Sequence, residues 1–430
     1  MNVLILGSGG REHALAKTIA ASPFCTRLFI APGNAGTSLC GTNVAIGVND
    51  FQGLKEFSLR EKIAHIVVGP EEPLVNGIFD FFQKDIELQH IAVTGPSAKA
   101  AQLEGSKAFA KKFMQRHNIP TAAYKEFNSQ NLQEAAAFIE AQVPPIVLKA
   151  DGLAAGKGVL IINDKAEALR ELHEMIEKSK FGAASTTVVI ESFLSGIEFS
   201  VFVLTDGQHY KILPEAKDYK RIGEKDTGLN TGGMGAVSPV PFCTPEFMKK
   251  VEEKVIAPTI QGLHQDGLVY HGFVFIGLIK VGNEPMVIEY NCRLGDPETE
   301  VVLPRLKSDL LKHLIALSEG KLQEEKIEVD DRSTATIVVT SGGYPGDYEK
   351  GKVISGLEAP QENTYVFHSG TALKNNHVVS NGGRVLAVTS YGSTIAEAVA
   401  HSKKRISGIA FEGMYFRSDI GYEFEDLKMR

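Results

Sequence analysis

Short apolar runs alternate with segments of helical spacing along the first part of the chain, and this alternation limits the fold more than any other feature. The runs at 3–6, 27–31, 63–68 and 91–94 are almost free of charged residues. Strands that are apolar on both faces are typical of a parallel sheet covered by helices on each side. We therefore predict an α/β chain that begins with a parallel sheet covered by helices on both faces.

Further along, the pattern predicts one long helix over 98–117, a β-hairpin formed by 146–149 and 159–162, and another helix over 304–318. The segment 321–328 is charged and nearly free of large apolar side chains. It therefore marks a boundary before a small C-terminal α/β unit.

Composition excludes several classes of protein. The 430 residues carry a net charge of -7, without the basic surface that nucleic-acid binding requires. No apolar run approaches the ~18 residues that span a bilayer. The four cysteines are far apart, which favours a reducing compartment. We expect a cytoplasmic protein that binds neither nucleic acid nor membrane.

A first glycine cluster, GSGGR at 7–11, separates the first strand from the first helix. Such a turn presents helix N-terminal amides to an anion, and Arg11 adds a cation. A dinucleotide fingerprint would need a third glycine where Glu12 stands, so NAD is disfavoured. A phosphate monoester fits better, with Glu71 at a nearby strand end available for sugar hydroxyls. A tight turn without a ligand is the alternative.

A second glycine cluster, KADGLAAGKG at 149–158, is not a P-loop. Its first spacing is one residue short, and Gly158 occupies the position of the hydroxyl residue. A strand follows it, so we predict a hairpin whose glycine tip covers polyphosphate, with Lys149 and Lys157 as point charges. A plain surface hairpin is the alternative.

A third candidate site lies in the strand predicted over 287–293. Glu289 and Asn291 alternate on one face of this strand, and Arg293 continues that face. Carboxylate and amide oxygens suit Mg²⁺ bound together with phosphate, and Arg293 could balance charge on a phosphoryl group. A sheet face open to water is the alternative.

A series of motifs, taken in order, resembles the ATP-grasp ligases and, within them, the phosphoribosylamine–glycine ligase family. The motifs are GGREHAL at 9–15, APGNAGT at 31–37, GPE at 69–71, LEGSK at 103–107, KADGLAAGKG at 149–158, NTGGMGA at 230–236, NCRLGDPET at 291–299, SGGYPGDY at 341–348 and NGGRV at 381–385. The resemblance runs nearly from end to end.

The resemblance implies ATP-dependent ligation of glycine to 5-phosphoribosylamine through glycyl phosphate, in purine biosynthesis, with Mg²⁺ or Mn²⁺. It implies an N-terminal Rossmann-like substrate domain at 1–104, an ATP-grasp domain of two α+β lobes at 105–325 and a C-terminal α/β domain at 326–430. The lobe at about 120–190 would be mobile. We expect a monomer that receives its labile amine through transient contact with the preceding enzyme.

The site residues expected from these motifs fall into four groups. Catalytic roles go to Lys149, Lys157 and Arg293. ATP would be bound by Lys107, Lys149, Gly152, Gly156, Lys157, Gly158, Glu191, Phe193, Leu194 and Glu198. The substrates would be bound by Gly9, Gly10, Arg11, Glu12, Asn34, Glu71, Asp218, Asn230, Gly232, Gly233, Arg293, Gly295 and Asp296. The metal would be bound by Glu289 and Asn291.

Departures from the family pattern concern the base and glycine contacts. Ser192 stands where a second glutamate is usual, and 216–221 differs from the usual loop, which we expect to face glycine. Two other functions stay open: an ATP-grasp ligase with another acceptor, such as a carboxylase acting on bicarbonate, and a regulator that binds ATP without turnover.

Overall fold

A parallel sheet forms the N-terminal part of the computed structural model, which describes residues 1–153, 158–178, 180 and 182–424. Its strands are buried on both faces, which explains their continuous apolar sequence. The elements are β1 (Asn2–Gly7), α1 (Gly10–Ala20), β2 (Arg27–Pro32), β3 (Thr42–Asn43), α2 (Phe51–Arg60), β4 (Ile63–Val68), α3 (Glu71–Val75), α4 (Ile78–Lys84) and β5 (Ala92–Pro96).

Two short helices and a separate lobe follow. The lobe is a four-stranded antiparallel sheet in the order β6-β9-β7-β8, with α7 and α8 packed against it. The elements are α5 (Gln102–Gly105), α6 (Lys107–Arg116), β6 (Tyr124–Asn128), α7 (Leu132–Ala141), β7 (Ile146–Ala150), β8 (Val159–Ile162), α8 (Lys165–Ile176) and β9 (Thr187–Ser192). The hairpin predicted at 146–162 is present as β7 and β8.

The chain then returns to the main body. β16 pairs with β10, β17 and β5, so the antiparallel strands extend the N-terminal sheet to nine strands. The elements are β10 (Ile197–Thr205), β11 (Tyr210–Ile212), β12 (Lys217–Asp218), β13 (Arg221–Gly223), β14 (Thr227–Asn230), β15 (Gly235–Ser238), α9 (Pro245–Val251), α10 (Ala257–Gln265), β16 (Tyr270–Val281), β17 (Glu284–Asn291), α11 (Thr299–Arg305) and α12 (Leu310–Ser318).

The C-terminal part contributes three strands to a second, five-stranded sheet, in the order β12-β15-β18-β22-β19. Two strands of this sheet come from before the charged segment at 321–328. The elements are β18 (Ser333–Thr340), β19 (Thr364–His368), β20 (Thr371–Lys374), β21 (His377–Ser380), β22 (Arg384–Gly392) and α13 (Ile395–Ile406).

Three elements differ from the sequence prediction. The helix predicted over 98–117 is broken at Ser106, whose backbone is extended and whose hydroxyl caps α6. The helix predicted over 304–318 is two helices, since Asp309 caps α12 after a non-helical link. The strand predicted over 287–293 ends at Asn291. In both helical cases a capping side chain competes with continuation of the helix.

Within the described ranges, no helix is long and apolar enough to cross a membrane.

Candidate active site

The break at Ser106 positions Lys107. The Ser106 hydroxyl lies 3.0 Å from an Asp151 carboxylate oxygen, and the Lys107 amide donates to the Asp151 carbonyl at 3.1 Å. The Lys107 ammonium group then reaches the Gly152 carbonyl at 3.1 Å. A Cβ on Gly152 would lie 2.9 Å from Ala184, so this turn requires glycine. Lys107 is thus fixed beside the start of the glycine hairpin.

Lys149 lies in β7 with its ammonium group almost fully buried. Its ammonium group forms an ion pair with Glu191 Oε1 at 3.0 Å and donates a hydrogen bond to the Ile288 carbonyl at 3.3 Å. The Gly158 carbonyl closes the hairpin by accepting the Ala150 amide at 2.8 Å. Gly156 and Lys157, also expected at this tip, lie outside the described residues.

The strand end expected to bracket adenine combines a buried carboxylate with an exposed ring. Glu191 is buried and ion-paired, so its carboxylate faces lysines. Phe193 is 42% exposed and Leu194 half-buried, which leaves an apolar surface beside the lysines. Glu198 binds Lys220 at 3.0 Å, and Lys220 lowers the pKa of that carboxyl.

Glu289 and Asn291 lie on one face of β17, as predicted. The register with β16 shifts at Ile288, whose carbonyl faces Lys149. Gly277, opposite Glu289, leaves room for it, because a Cβ there would lie 3.1 Å from Glu289 Cγ. In the described part of the chain no hydrogen bond or ion pair engages either side chain.

The oxygen pair fits Mg²⁺. No group of three or more His, Cys, Asp or Glu residues forms a metal site among the residues described. Two hard oxygen ligands are nevertheless typical of Mg²⁺ that completes its shell with substrate phosphate and water.

Acidic side chains crowd around the loop that carries Asp218. Burial raises the pKa of Asp218, and Glu198 and Glu289 raise it further against the opposing effect of Lys220. Burial and Asp218 raise the pKa of Glu298 to about 8. The sequence prediction missed Lys220 and Glu298, although Glu298 belongs to a quoted motif. This cluster of carboxylates around Asp218 could accept an ammonium group, although Lys220 and Lys217 already offset part of its charge.

Arg293 lies beyond the end of β17 and contacts two carboxylates. Its guanidinium group reaches Glu104 at 3.0 Å and Glu71 at 3.3 Å. The strand predicted to include Arg293 ends at Asn291, and these two carboxylates hold the guanidinium group beyond it. Gly295 follows, and a Cβ there would lie 2.4 Å from a Glu298 oxygen.

The N-terminal glycine turn is held by its own side chains. Glu12 accepts the Gly9 amide at 2.5 Å and Arg11 Nε at 2.6 Å. Arg11 is 7% exposed and also donates to the Leu294 carbonyl at 3.1 Å. A Cβ on Gly10 would meet the buried Glu300 carboxylate. Arg11 thus stabilises the turn through contacts with protein groups.

Asn34 links this turn to the C-terminal part. Its amide donates to the Ser8 and His368 carbonyls, both at 2.8 Å, and its oxygen accepts the amides of Gly36 and Thr37. All these partners are protein groups, so Asn34 shapes the wall of the site.

A cavity of about 300 Å³ lies in front of the turn, at the junction of the N-terminal, central and C-terminal parts. Its lining is polar: Ser8, Gly9, Gly33, Asn34, Asp296, Ser369, Gly370, Thr371, Asn381 and Arg384. Arg384 donates to the Asp296 carbonyl at 2.7 Å and lies 3.1 Å from its carboxylate. Sequence reasoning missed the last five residues, of which Asn381 and Arg384 belong to the NGGRV motif.

The NTGGMGA segment passes beside this cavity. Asn230 ends β14 and is exposed. The Gly232 amide donates to the Tyr344 hydroxyl at 2.9 Å, and its carbonyl accepts Arg384 at 2.6 Å. Gly233 has φ +116°, and a Cβ there would lie 2.4 Å from Pro297. Gly233 is therefore required by its backbone conformation and by this close approach.

Comparisons with known proteins cover nearly the whole chain. Family models described as the N domain, the ATP-grasp (A) domain and the C domain of phosphoribosylglycinamide synthetase match residues 1–104, 105–299 and 334–423. The chain is 47% identical over 428 residues to "Phosphoribosylamine--glycine ligase" of Escherichia coli O157:H7, covering 98% of each chain.

Solved structures give the same picture. The crystal structure of phosphoribosylamine–glycine ligase from Thermotoga maritima is similar with a TM-score of 0.84 at 35% identity, over 97% of this chain and 100% of that one. Biotin carboxylase from Campylobacter jejuni has a TM-score of 0.75 at 15% identity, over 98% of this chain and 94% of that one. The second likeness concerns the fold alone.

Proposed function

The chain belongs to the phosphoribosylglycinamide synthetase family, and from this membership we propose how its residues divide the family's reaction among them. It is a carbon–nitrogen ligase that joins glycine to 5-phosphoribosylamine and converts ATP to ADP and phosphate, in purine biosynthesis. It uses ATP with Mg²⁺ or Mn²⁺. The domains we assign to this work are 1–104, 105–325 and 326–430.

ATP is bound between the lobe and β17. Lys107 and Lys149 hold the phosphates, with Gly152, Gly156, Lys157 and Gly158 in the covering hairpin. Phe193 and Leu194 lie against the base, and Glu198 holds the ribose. The exposed Phe193 ring and the two fixed ammonium groups support this assignment. Glu289 and Asn291 hold the metal ion, which neutralises phosphate charge when bound.

Glycine is bound beside Asp218. The crowded carboxylates there gain a positive neighbour when an ammonium group enters, which fits the raised pKa of Asp218. A glycine carboxylate oxygen then attacks the γ-phosphorus of ATP. The bond between that phosphorus and the β–γ bridging oxygen breaks, and ADP leaves. Lys149 and Lys157 stabilise the transferring group, and Arg293 orients the strand end beside it.

Phosphoribosylamine is bound in the cavity of about 300 Å³. Its phosphate meets Arg384 and the polar groups at Gly9, Ser369 and Asn381, and Asp296 and Glu71 lie within reach of the sugar. Its amine attacks the carbonyl carbon of glycyl phosphate, the carbon–oxygen bond to phosphate breaks, and the amine loses a proton. Because glycyl phosphate would hydrolyse in water, the lobe must close over it.

Two further assignments concern the oligomeric state of the chain and its cellular location. We infer that the chain acts as a monomer in the cytoplasm and takes its labile amine from the preceding enzyme by transient contact. All four cysteines are free, which supports a reducing compartment.

One observation carries the proposal: buried Lys149 contacts the Ile288 carbonyl, so its ammonium group lies next to the strand segment that bears Glu289 and Asn291. ADP release is measured with glycine, phosphoribosylamine or the metal ion each left out. We expect continuous, multiple-turnover ADP release only with all three. Bicarbonate-dependent release without glycine would indicate a carboxylase, and ATP binding without ADP would indicate a regulator.

A further inference from the structure

A third lysine lies beneath the proposed nucleotide site. Lys111, on α6, is 2% exposed, and its ammonium group is 3.0 Å from Glu191 Oε2. It also donates to the Thr121 hydroxyl at 2.7 Å. Burying an ammonium group is costly unless it is paired, so its position calls for a function.

Glu191 is shared by two ammonium groups. One of its carboxylate oxygens binds Lys111, and the other binds Lys149 at 3.0 Å. All three side chains are buried, so water screens their charges weakly. One carboxylate between two ammonium groups leaves one positive charge uncompensated.

The arrangement also places the two ammonium groups on opposite sides of Glu191. Lys149 contacts Ile288, next to the metal-binding face of β17, whereas Lys111 lies on the far side of Glu191 against Thr121. Without Lys111, Glu191 would neutralise Lys149 alone, and the phosphates would meet a neutral pair.

We propose that Lys111 is a positioning residue for ATP: it shares Glu191 with Lys149, so that Lys149 keeps an uncompensated charge for the triphosphate. This inference rests on the nucleotide site proposed above.

The charge on Lys111 depends on pH. Burial lowers the pKa of Lys111 to about 8, against the effect of Glu191 and with a further contribution from Lys149. The groups facing it are Glu191 on β9, Lys149 on β7 and the Tyr124 ring on β6, 5.6 Å away. Above pH 8 the ammonium group loses its proton, so ATP affinity should fall as pH rises.

The test measures the Kd of Mg²⁺–ATP without glycine, by calorimetry, across pH. Lys111→Met should raise Kd about tenfold at pH 7, the effect expected for one buried unit charge. The wild-type Kd should rise above pH 8 towards that of Lys111→Met, whose own profile should be flatter. Lys111→Arg should bind Mg²⁺–ATP as tightly as wild type does, and its Kd should not rise above pH 8. Lys112→Met, an exposed neighbour paired with Glu126, is the matched control and should bind as wild type does.

Two results would overturn the inference: equal ATP affinity in Lys111→Met and wild type, or the same pH profile in both. If Lys111→Met does not fold, a wild-type Kd that stays constant from pH 7 to well above 8 would also overturn it. Lys149→Met separates the two proposals. Normal ATP affinity in that variant would contradict the nucleotide site itself.

Discussion

Two arginines lie beside the N-terminal glycine turn, and their contacts separate their roles. Arg11 is enclosed by Glu12, Leu294 and the turn itself. Arg384 comes from the start of β22 and lines the cavity. We therefore propose that Arg384, far away in sequence, binds the sugar phosphate in place of Arg11.

Replacing Arg384 by Met should raise the KM for phosphoribosylamine by about 10–100-fold, because a charged hydrogen bond contributes about 1.5–3 kcal/mol. The KM for ATP should change little. Steady-state kinetics measure both, and Arg332→Met, at an exposed arginine paired with Asp330, is the control. An increase confined to the KM for ATP would contradict this placement.

Arg11→Ala should act on stability instead. It leaves the Glu12 carboxylate buried without its guanidinium partner, and breaking such a pair costs about 3–5 kcal/mol. Chemical denaturation measures the loss, with Arg60→Ala, an exposed arginine, for comparison. Unchanged stability together with a higher KM for phosphoribosylamine would indicate that Arg11 binds the substrate.

Glu289→Ala should reduce Mg²⁺-dependent ADP release by about 10²–10³-fold, the loss typical when a group that stabilises developing charge is removed. The matched control is Glu284→Ala on the same strand, where the side chain is exposed and paired with Lys250 and Lys254. Near-normal turnover in Glu289→Ala would contradict the metal assignment.

The sequence predicted the placement of those candidate residues whose geometry is local. Lys149 at a strand end and the alternation of Glu289 with Asn291 are readable from spacing alone. Arg384 and Lys111 were missed because their partners, Asp296 and Glu191, are brought to them only by folding. Arg11 and Asn34 were predicted to meet substrate, but their hydrogen bonds are satisfied within the protein.

At the scale of single elements, capping side chains determine where helices end. Glycines determine where two loops can approach each other closely. Ser106 divides a helix that periodicity alone extends, and so places Lys107 at the start of α6. The turns at Gly370 and Gly382 touch backbone to backbone. This contact accounts for Gly382 of the NGGRV motif, because Gly370 on the other side of it lines the cavity.

Gly382→Ala should lower the free energy of unfolding by about 1–3 kcal/mol, the cost typical of overpacking, because its Cβ would lie 2.9 Å from Gly370 Cα. It should also raise the KM for phosphoribosylamine. Gly47→Ala is the control, since nothing lies within 4 Å of a Cβ there. Equal unfolding midpoints for the two variants would contradict the close contact.

At the scale of the whole molecule, the sheets cross the domain boundaries that the sequence analysis predicted. β5 pairs with β16, and β15 pairs with β18, so the three predicted domains share two sheets. Among the described residues, the lobe forms a separate four-stranded sheet with a core drawn from its own residues. Composition revealed where the chain changes character, but strand pairing between distant segments has no local signal.

Hydrogen exchange should reflect this division. Amides of the lobe strands β6 and β9 should exchange faster than those of β18 and β22. Mg²⁺–ATP should slow amide exchange selectively in the lobe, because a ligand that binds the native state and not the locally opened states stabilises the native state. Mass spectrometry with and without nucleotide measures both. Equal protection of β18 and the lobe on adding ATP would contradict a lobe that closes over nucleotide.

The central claim is that glycine is activated by transfer of the γ-phosphoryl group to its carboxylate. Glycine labelled with ¹⁸O in its carboxylate is turned over with ATP and phosphoribosylamine, and the released phosphate is analysed by mass spectrometry. The mechanism predicts that one labelled oxygen passes from each glycine into phosphate. Phosphate without label, formed together with glycinamide ribonucleotide, would contradict it.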